Sequence, residues 1–379
     1  MSMRKLVLAV AVAAACVAIA GCATSRVAYT QSDQRAAAIP SIPEARFWSD
    51  DHAAVGAIIA KGLKNRAPGP FRMLALSGGG ANGAYGAGFL NGWTRAGTRP
   101  DFTIVTGVSV GALMAPFAYL GPDYDFVLAE MFTDGEATGL MEFAGLEVLF
   151  GSSAFSDVPL KKLVEKYVDR ELLDRIADEY HKGRLLLVAT TDVDSQRTAV
   201  WNMGAIAAST SPGAPELFRT VLLASASVPG IFAPEPIRVE ADGKSFSELH
   251  VDGGVTANLL LVPQALLATE LAVSLGRDPQ FYAVVNGKLG PEFKVTRTGV
   301  INIVQRSFET TLKSNTTNQL LATRDYLQKR RGELHITAID PAYPLGDLMD
   351  FSAAQTAPLF AAGVAAGMKE RRWLADPFD

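Results

Sequence analysis

The pentapeptide Gly107-Val108-Ser109-Val110-Gly111 stands between an apolar run, Thr103-Ile104-Val105-Thr106, and the helix-like Ala112-Leu113-Met114-Ala115. In a strand–turn–helix context, G-x-S-x-G sets an exposed serine hydroxyl on a sharp turn, and Gly107 and Gly111 remove the Cβ clashes that turn would create. Ser109 is therefore the candidate nucleophile of an acyl transfer. The preceding strand–turn–helix runs from 71–76 into Ser77-Gly78-Gly79-Gly80-Ala81-Asn82-Gly83-Ala84-Tyr85-Gly86. Glycines at this density let backbone N–H groups converge at a helix N-terminus, which suits a bound phosphate or the oxyanion of an acyl-transfer intermediate. Gly78-x-Gly80-x-x-Gly83 formally matches a dinucleotide fingerprint with Asp101 as its ribose acid. Asp101 precedes the strand 103–106 instead of ending it, which argues against nucleotide.

A serine hydroxyl needs a group to take its proton. The chain has four histidines, His52, His181, His250 and His335. His52 precedes the strands, and His181 lies in the polar Glu179-Tyr180-His181-Lys182. His250, in Leu249-His250-Val251-Asp252-Gly253-Gly254, would share a strand face with Asp252. His335 satisfies the chain order Ser…Asp…His but alternates with apolar residues inside Glu333-Leu334-His335-Ile336-Thr337. A Ser-His-Asp site using His335 or His250 is one alternative; the plainer expectation for both is a strand histidine. Asp252 taken alone reads as a turn residue, because Asp-Gly is a strong turn signal.

These residues need a scaffold. Residues 73–76, 103–106, 185–188, 281–285 and 333–339 read as strands, mostly buried on both faces. Helical patterns fill 83–97, 109–120, 158–180, 216–226, 299–328 and 353–371. Such alternation predicts an α/β fold, a mostly parallel central sheet covered by helices in three layers. The stretch 351–368 is uncharged but holds Ser352, Gln355, Thr356 and Pro358, so it reads as a core helix and not a membrane span. Loops 131–157 and 203–215 read as covers over a site. The chain has 379 residues, 35 basic against 39 acidic, for a formal charge of −4. With no long basic run, a nucleic-acid partner is not expected. Only Cys16 and Cys22 are present, so neither a disulfide scaffold nor a cysteine metal site belongs to the folded part.

The beginning of the chain has a different character. Arg4 and Lys5 precede an apolar run, Leu6 to Ala20, of signal-peptide length. It closes on Ile19-Ala20-Gly21-Cys22, which resembles the lipobox of bacterial lipoproteins. That resemblance implies a signal peptide over 1–21, acylation of Cys22, and a membrane-anchored, periplasm-facing protein of the cell envelope, with Thr24 favouring the outer membrane. The rest divides into a tether over 22–45, a helical extension over 46–70, a main domain over 71–300 and a C-terminal helix–strand–helix extension over 301–379 packed on that domain.

Ser77-Gly78-Gly79-Gly80, Gly107-x-Ser109-x-Gly111 and Asp252-Gly253-Gly254 together resemble the patatin-like phospholipase family. Ala224-Ser225-Ala226-Ser227-Val228-Pro229-Gly230-Ile231-Phe232-Ala233-Pro234 is similar to a further block of that family. The resemblance spans about 71–260 and implies a patatin-like fold and a serine acyl hydrolase that uses a Ser–Asp dyad. It makes Ser109 the nucleophile, Asp252 the base, and the N–H groups of Gly78, Gly79 and Gly80 the oxyanion hole, with a lipid ester as substrate and no cofactor or metal. A buried Asp252 suits the role, because desolvation raises a carboxyl's pKa and with it the basicity of the carboxylate. Where the family's glycine loop usually carries Arg or Lys, this chain has Asn82, so neutral lipids, lysolipids and short esters stand beside phospholipids as substrates. A non-catalytic lipid-binding lipoprotein is the remaining alternative.

Overall fold

The computed structural model describes residues 26–135, 156–268 and 278–374. The expected signal peptide, Cys22 and most of the cover over 131–157 lie outside those residues. From the N-terminus the elements are α1 (Gln31–Ala36), β1 (Arg46–Trp48), α2 (His52–Gly62), β2 (Arg72–Leu76), α3 (Gly83–Arg95), β3 (Ile104–Val108), α4 (Val110–Leu120) and α5 (Asp125–Thr133). There follow α6 (Val158–Tyr167), α7 (Arg170–His181), β4 (Leu185–Asp192), β5 (Arg197–Asn202), α8 (Met203–Ala207), α9 (Ala214–Ala226), β6 (Glu235–Ala241) and β7 (Lys244–Asp252). The chain continues through α10 (Gln264–Ala268), β8 (Gln280–Val285), α11 (Val300–Gln328), β9 (Glu333–Ala338) and α12 (Ala353–Met368).

The described strands form one sheet in the order β1-β5-β4-β3-β2-β8-β9, with β7 paired to β4 and β6 to β7. Its centre, β4-β3-β2-β8-β9, is parallel. Strands β1, β5, β6 and β7 join antiparallel. Successive strand side chains point to opposite faces. Leu74, Leu76, Val105, Leu186 and Val188 pack with Phe89 of α3, Met114 of α4 and Phe218 of α9. Met73, Ala75, Ile104, Leu185 and Phe281 pack on the other side with Ile59 of α2 and Leu320 of α11. Two cores on two faces make a three-layer α/β/α architecture, and they explain why the central strands are apolar throughout.

The structure departs from the sequence-based expectations in four places. The described part of the expected tether is docked: Ile39, Ile42 and Ala45 are buried, Ala38 bridges Glu240, and Arg26 bonds to Asp194 and the Ser247 carbonyl. Three apolar anchors among small polar residues are enough to seat the segment. The helix expected over 158–180 is two helices, because the Asp169 side chain caps α7 by accepting from Leu172 N–H at 2.8 Å. Residues 203–207 of the second expected cover form α8 and are buried, so they are core. The C-terminal extension does more than pack on the domain, since β9 extends the sheet beside β8. Helix α12 then lies directly on α3; a Cβ on Gly92 would sit 2.2 Å from the Val364 carbonyl oxygen.

Candidate active site

Ser109 occupies the single residue between β3 and α4, at φ 55° and ψ −127°. A non-glycine residue held there is strained, and the packing around it keeps it so. A Cβ on Gly107 would lie 2.4 Å from the Gly111 carbonyl oxygen, and one on Gly111 2.3 Å from that of Leu76. Both neighbours are backbone, so the elbow cannot relax around an added methyl. Gly111→Ala is accordingly expected to cost about 1–3 kcal/mol of stability by overpacking, as measured by urea unfolding.

Asp252 ends β7, where Thr190, Thr191 and Asp192 of β4 pair with Asp252, Val251 and His250. Because β4 neighbours β3, this long-range pairing carries the carboxyl to the elbow. Asp252 is fully buried. Its Oδ1 accepts from Gly254 N–H at 2.7 Å. Burial pushes its pKa from 3.8 up to about 7, while the Ser109 hydroxyl and the Gly254 N–H pull it down again. Oδ2 has no hydrogen-bond partner among the described residues. The Ser109 hydroxyl is thus near enough to act on the carboxyl, and Oδ2 is left open to receive its proton.

The glycine loop faces the same point. A Cβ on Gly78 would be 3.0 Å from Ser109 Cβ. Gly79 and Gly80 have φ of 157° and 52°, which glycine adopts without strain. Their N–H groups have no acceptor among the described residues, whereas Gly78 N–H donates to the Asn258 carbonyl at 3.0 Å. Gly78 therefore drops out of the expected trio of oxyanion donors. Ala81 N–H is occupied by the Leu348 carbonyl at 2.8 Å. Val110 N–H, at the first position of α4, has no intrahelical acceptor and adds a third free amide near the serine.

Two cavities meet at this loop. An apolar one of about 40 Å³ is lined by Ser109, Leu113, Phe232, Phe308, Leu312 and Leu348. A larger, more polar one of about 670 Å³ is bordered by Gly78, Gly79, Asn82, Asn258, Lys288 and Lys313. A further cavity of about 730 Å³ lies against Arg26, Tyr29 and Asp194 and contains none of the residues just described.

Two supporting residues carried no assigned role in the sequence. Ser225 Oγ accepts from Ser109 N–H at 3.0 Å and donates to the Ala189 carbonyl at 2.7 Å, which pins the elbow to β4. Its signal was the Ala224 to Pro234 block. Asn258 receives Gly78 N–H on its carbonyl and donates from Nδ2 to Thr316 Oγ1 at 2.8 Å, while its buried Oδ1 has no partner among the described residues. No local pattern announces that residue.

Neither histidine reaches Ser109. His250 is fully buried; its Nδ1 meets the Thr190 hydroxyl at 2.9 Å, which itself accepts from Trp201 Nε1 at 2.8 Å. Burial and the nearby Arg46 guanidinium push its pKa down to about 3, so it is neutral at pH 7. His335 lies on β9, three strands from β3, stacked on Tyr282 at 4.7 Å between ring centroids. His335→Ala and His250→Gln are each expected to leave Ser109 reactive toward a fluorophosphonate. Lost labelling of a folded variant would reinstate a histidine triad. Asp192, Glu248 and His250 come within metal-ligand distance of one another. Arg46 is ion-paired to Glu248 there, and Gln34 donates to Asp192, so the cluster already holds its own cation.

Comparison with known proteins finds a matching family model and similar solved structures. A family model described as patatin-like phospholipase matches residues 74–264, half of the chain. No curated protein sequence matches significantly. Among solved structures, VipD from Legionella pneumophila is similar at 14% identity and a TM-score of 0.37, over 79% of this chain and 68% of that one. The ExoU-SpcU complex of the type III secretion system of Pseudomonas aeruginosa is similar at 15% identity and a TM-score of 0.25. That match covers 81% of this chain and 61% of the other, so the chain spans less than two thirds of its length.

Proposed function

Because the chain belongs to the patatin-like phospholipase family, we propose that it hydrolyses carboxylic ester bonds of lipids through an acyl-enzyme on Ser109. The observation that carries this is the buried Asp252, with a pKa near 7, beside a strained serine and facing free backbone amides. Ionised Asp252 takes the Ser109 proton as Oγ attacks the ester carbonyl. The Gly79, Gly80 and Val110 amides receive the negative charge that develops on the carbonyl oxygen. Asp252 returns the proton to the departing alcohol, leaving the acyl group on Ser109. It then takes a proton from water, whose oxygen attacks the acyl carbon, and regenerates the serine. The scheme calls on no metal or organic cofactor.

The apolar cavity at Ser109 suits an acyl chain. The larger cavity beside the glycine loop is lined by Lys288, Lys294, Arg306 and Lys313 against Glu292, Glu309 and Asp347. These charges give a phospholipid headgroup partners that Asn82 does not supply. Acylation of Cys22 belongs to the same proposal and would hold the enzyme at the envelope membrane. The test is covalent labelling with a fluorophosphonate and peptide mapping, beside Ser109→Ala. Label on Ser109 together with release of fatty acid from lipid supports the assignment. Absence of both from folded protein sinks it in favour of a lipid-binding role.

A further inference from the structure

The two most exposed large apolar side chains among the described residues are Phe293 and Val295, at 98% and 82%. They stand on the loop between β8 and α11, and Ile303 and Val304 on the opening turns of α11 are also exposed. The loop is tied to the helix: Arg306 donates to the Glu292 carbonyl and Lys313 to that of Gly290. Single exposed apolar residues need no explanation. Here two further observations give the patch a direction and a charge.

The direction comes from α11. Val304, Phe308 and Leu312 are spaced four apart and share one face of the helix. Val304 is exposed, while Phe308 and Leu312 line the cavity that holds Ser109. A Cβ on Gly230 would lie 3.9 Å from Val304, so the loop carrying Val228 and Phe232, which line the same cavity, flanks this stripe. An apolar track therefore runs from the surface to the nucleophile. The charge comes from the loop. From Asn286 to Arg306 the chain has four cations, Lys288, Lys294, Arg297 and Arg306, against one acid, Glu292. Lys294 and Arg297 are exposed and form no ion pair with described residues.

We propose that this stretch docks the protein onto a lipid bilayer containing anionic lipids. Phe293 and Val295 enter the interfacial layer, Lys294 and Arg297 meet the headgroups, and the Val304–Phe308–Leu312 stripe guides an acyl chain toward Ser109. A second copy of the chain is the poorer occupant, because a two-fold contact would set two cationic loops against each other. The choice of lipid rests on the hydrolase assignment; the docking itself requires no catalysis.

The experiment uses the full chain carrying Ser109→Ala, with Phe293→Trp added, and vesicles of brominated phosphatidylcholine with or without about a third phosphatidylglycerol. Three native tryptophans, Trp48, Trp93 and Trp201, are buried, and Trp373 packs against Trp93 and His335. Quenching beyond that of the parent thus reports insertion of position 293, whatever the N-terminal segment does. Strong quenching with the anionic vesicles, and at least tenfold weaker binding after Lys294→Glu and Arg297→Glu, is expected. In the Ser109 enzyme, Phe293→Ser with Val295→Ser should slow vesicle hydrolysis tenfold or more and leave a dissolved short ester unaffected. No added quenching in protein that still pellets with vesicles overturns the proposal, as does a dimer that this double variant dissociates. Failure to hydrolyse any ester while quenching persists would count against the hydrolase assignment alone.

Discussion

Asp252→Asn is expected to lower ester hydrolysis by a factor on the order of 10³ to 10⁴ and, at pH 9, to make the protein more stable than its parent. The first effect follows because an amide cannot accept the Ser109 proton. The second follows from burial. The folded-state pKa of Asp252 is raised from 3.8 to about 7. The stability contributed by keeping this carboxyl neutral is fully present below about pH 4 and is lost as pH rises through 7. Above that, a shift of about three units corresponds to roughly 4 kcal/mol spent on holding an ionised carboxylate in a dry site. Asparagine carries no such charge, and its Oδ1 can still accept from Gly254 N–H. Thermal unfolding of both proteins from pH 4 to 9 checks this: the melting temperatures should separate with rising pH, the variant above. A variant less stable at every pH would mean that the carboxylate is structural. The same pKa fixes the activity profile of the parent. As Asp252 must be ionised, kcat/KM should rise about tenfold per pH unit below 7 and level off above it, leaving about one hundredth of the plateau at pH 5.

Gly79→Ala is expected to cost about 10² to 10³ in kcat, with KM little changed. At φ 157° a Cβ on residue 79 would lie 2.2 Å from the Asn286 carbonyl oxygen and 2.7 Å from Asn286 Cβ. Asn286 cannot retreat, because Ser77 holds it twice: its N–H donates to Ser77 Oγ at 2.8 Å and its Nδ2 to the Ser77 carbonyl at 2.7 Å. The loop must therefore move, and the Gly79 and Gly80 amides with it. Those amides matter most when the carbonyl oxygen becomes an alkoxide, so the penalty falls on turnover more than on binding. Steady-state kinetics on a dissolved ester and the rate of fluorophosphonate labelling should fall together. Gly213→Ala, where an added Cβ has open space, is the control and should match the parent. A Gly79→Ala enzyme within threefold of the parent would remove this loop from the mechanism.

The elbow and the glycine loop were legible because each is a local event, an apolar strand, a turn and a helix within about fifteen residues. Asp252 was not legible on the same terms. It reaches Ser109 only because β7 pairs with β4, and in the sequence Asp-Gly-Gly signals a turn; family resemblance supplied the role. The strand that carries it could have been found. Strand β6 alternates buried and exposed residues along Glu235–Ala241, and Asp242-Gly243, both at positive φ, make the turn of a β-hairpin. A search for continuously apolar strands passes over such an alternating one. Which loop amides are free was also beyond reach, since Gly78 is withdrawn by a carbonyl 180 residues away, at Asn258. Asp169 shows the opposite case, a capping signal present in the sequence and overridden by the helical periodicity on either side.

The docking of the N-terminal segment decides how the protein can be held. Arg26 is fastened to Asp194, in the turn that follows β4, and Ser109 follows β3, the next strand along. Parallel neighbours end on the same rim, so Arg26 is fastened on the side of the sheet that carries the nucleophile. The far end leaves elsewhere: Leu374 N–H donates to the Ile336 carbonyl on β9, the edge strand three places from β3. A support or fusion partner attached behind Leu374 would thus be held at the β9 edge, three strands from the nucleophile, so fixing the protein by that end is the arrangement that keeps its load away from the elbow.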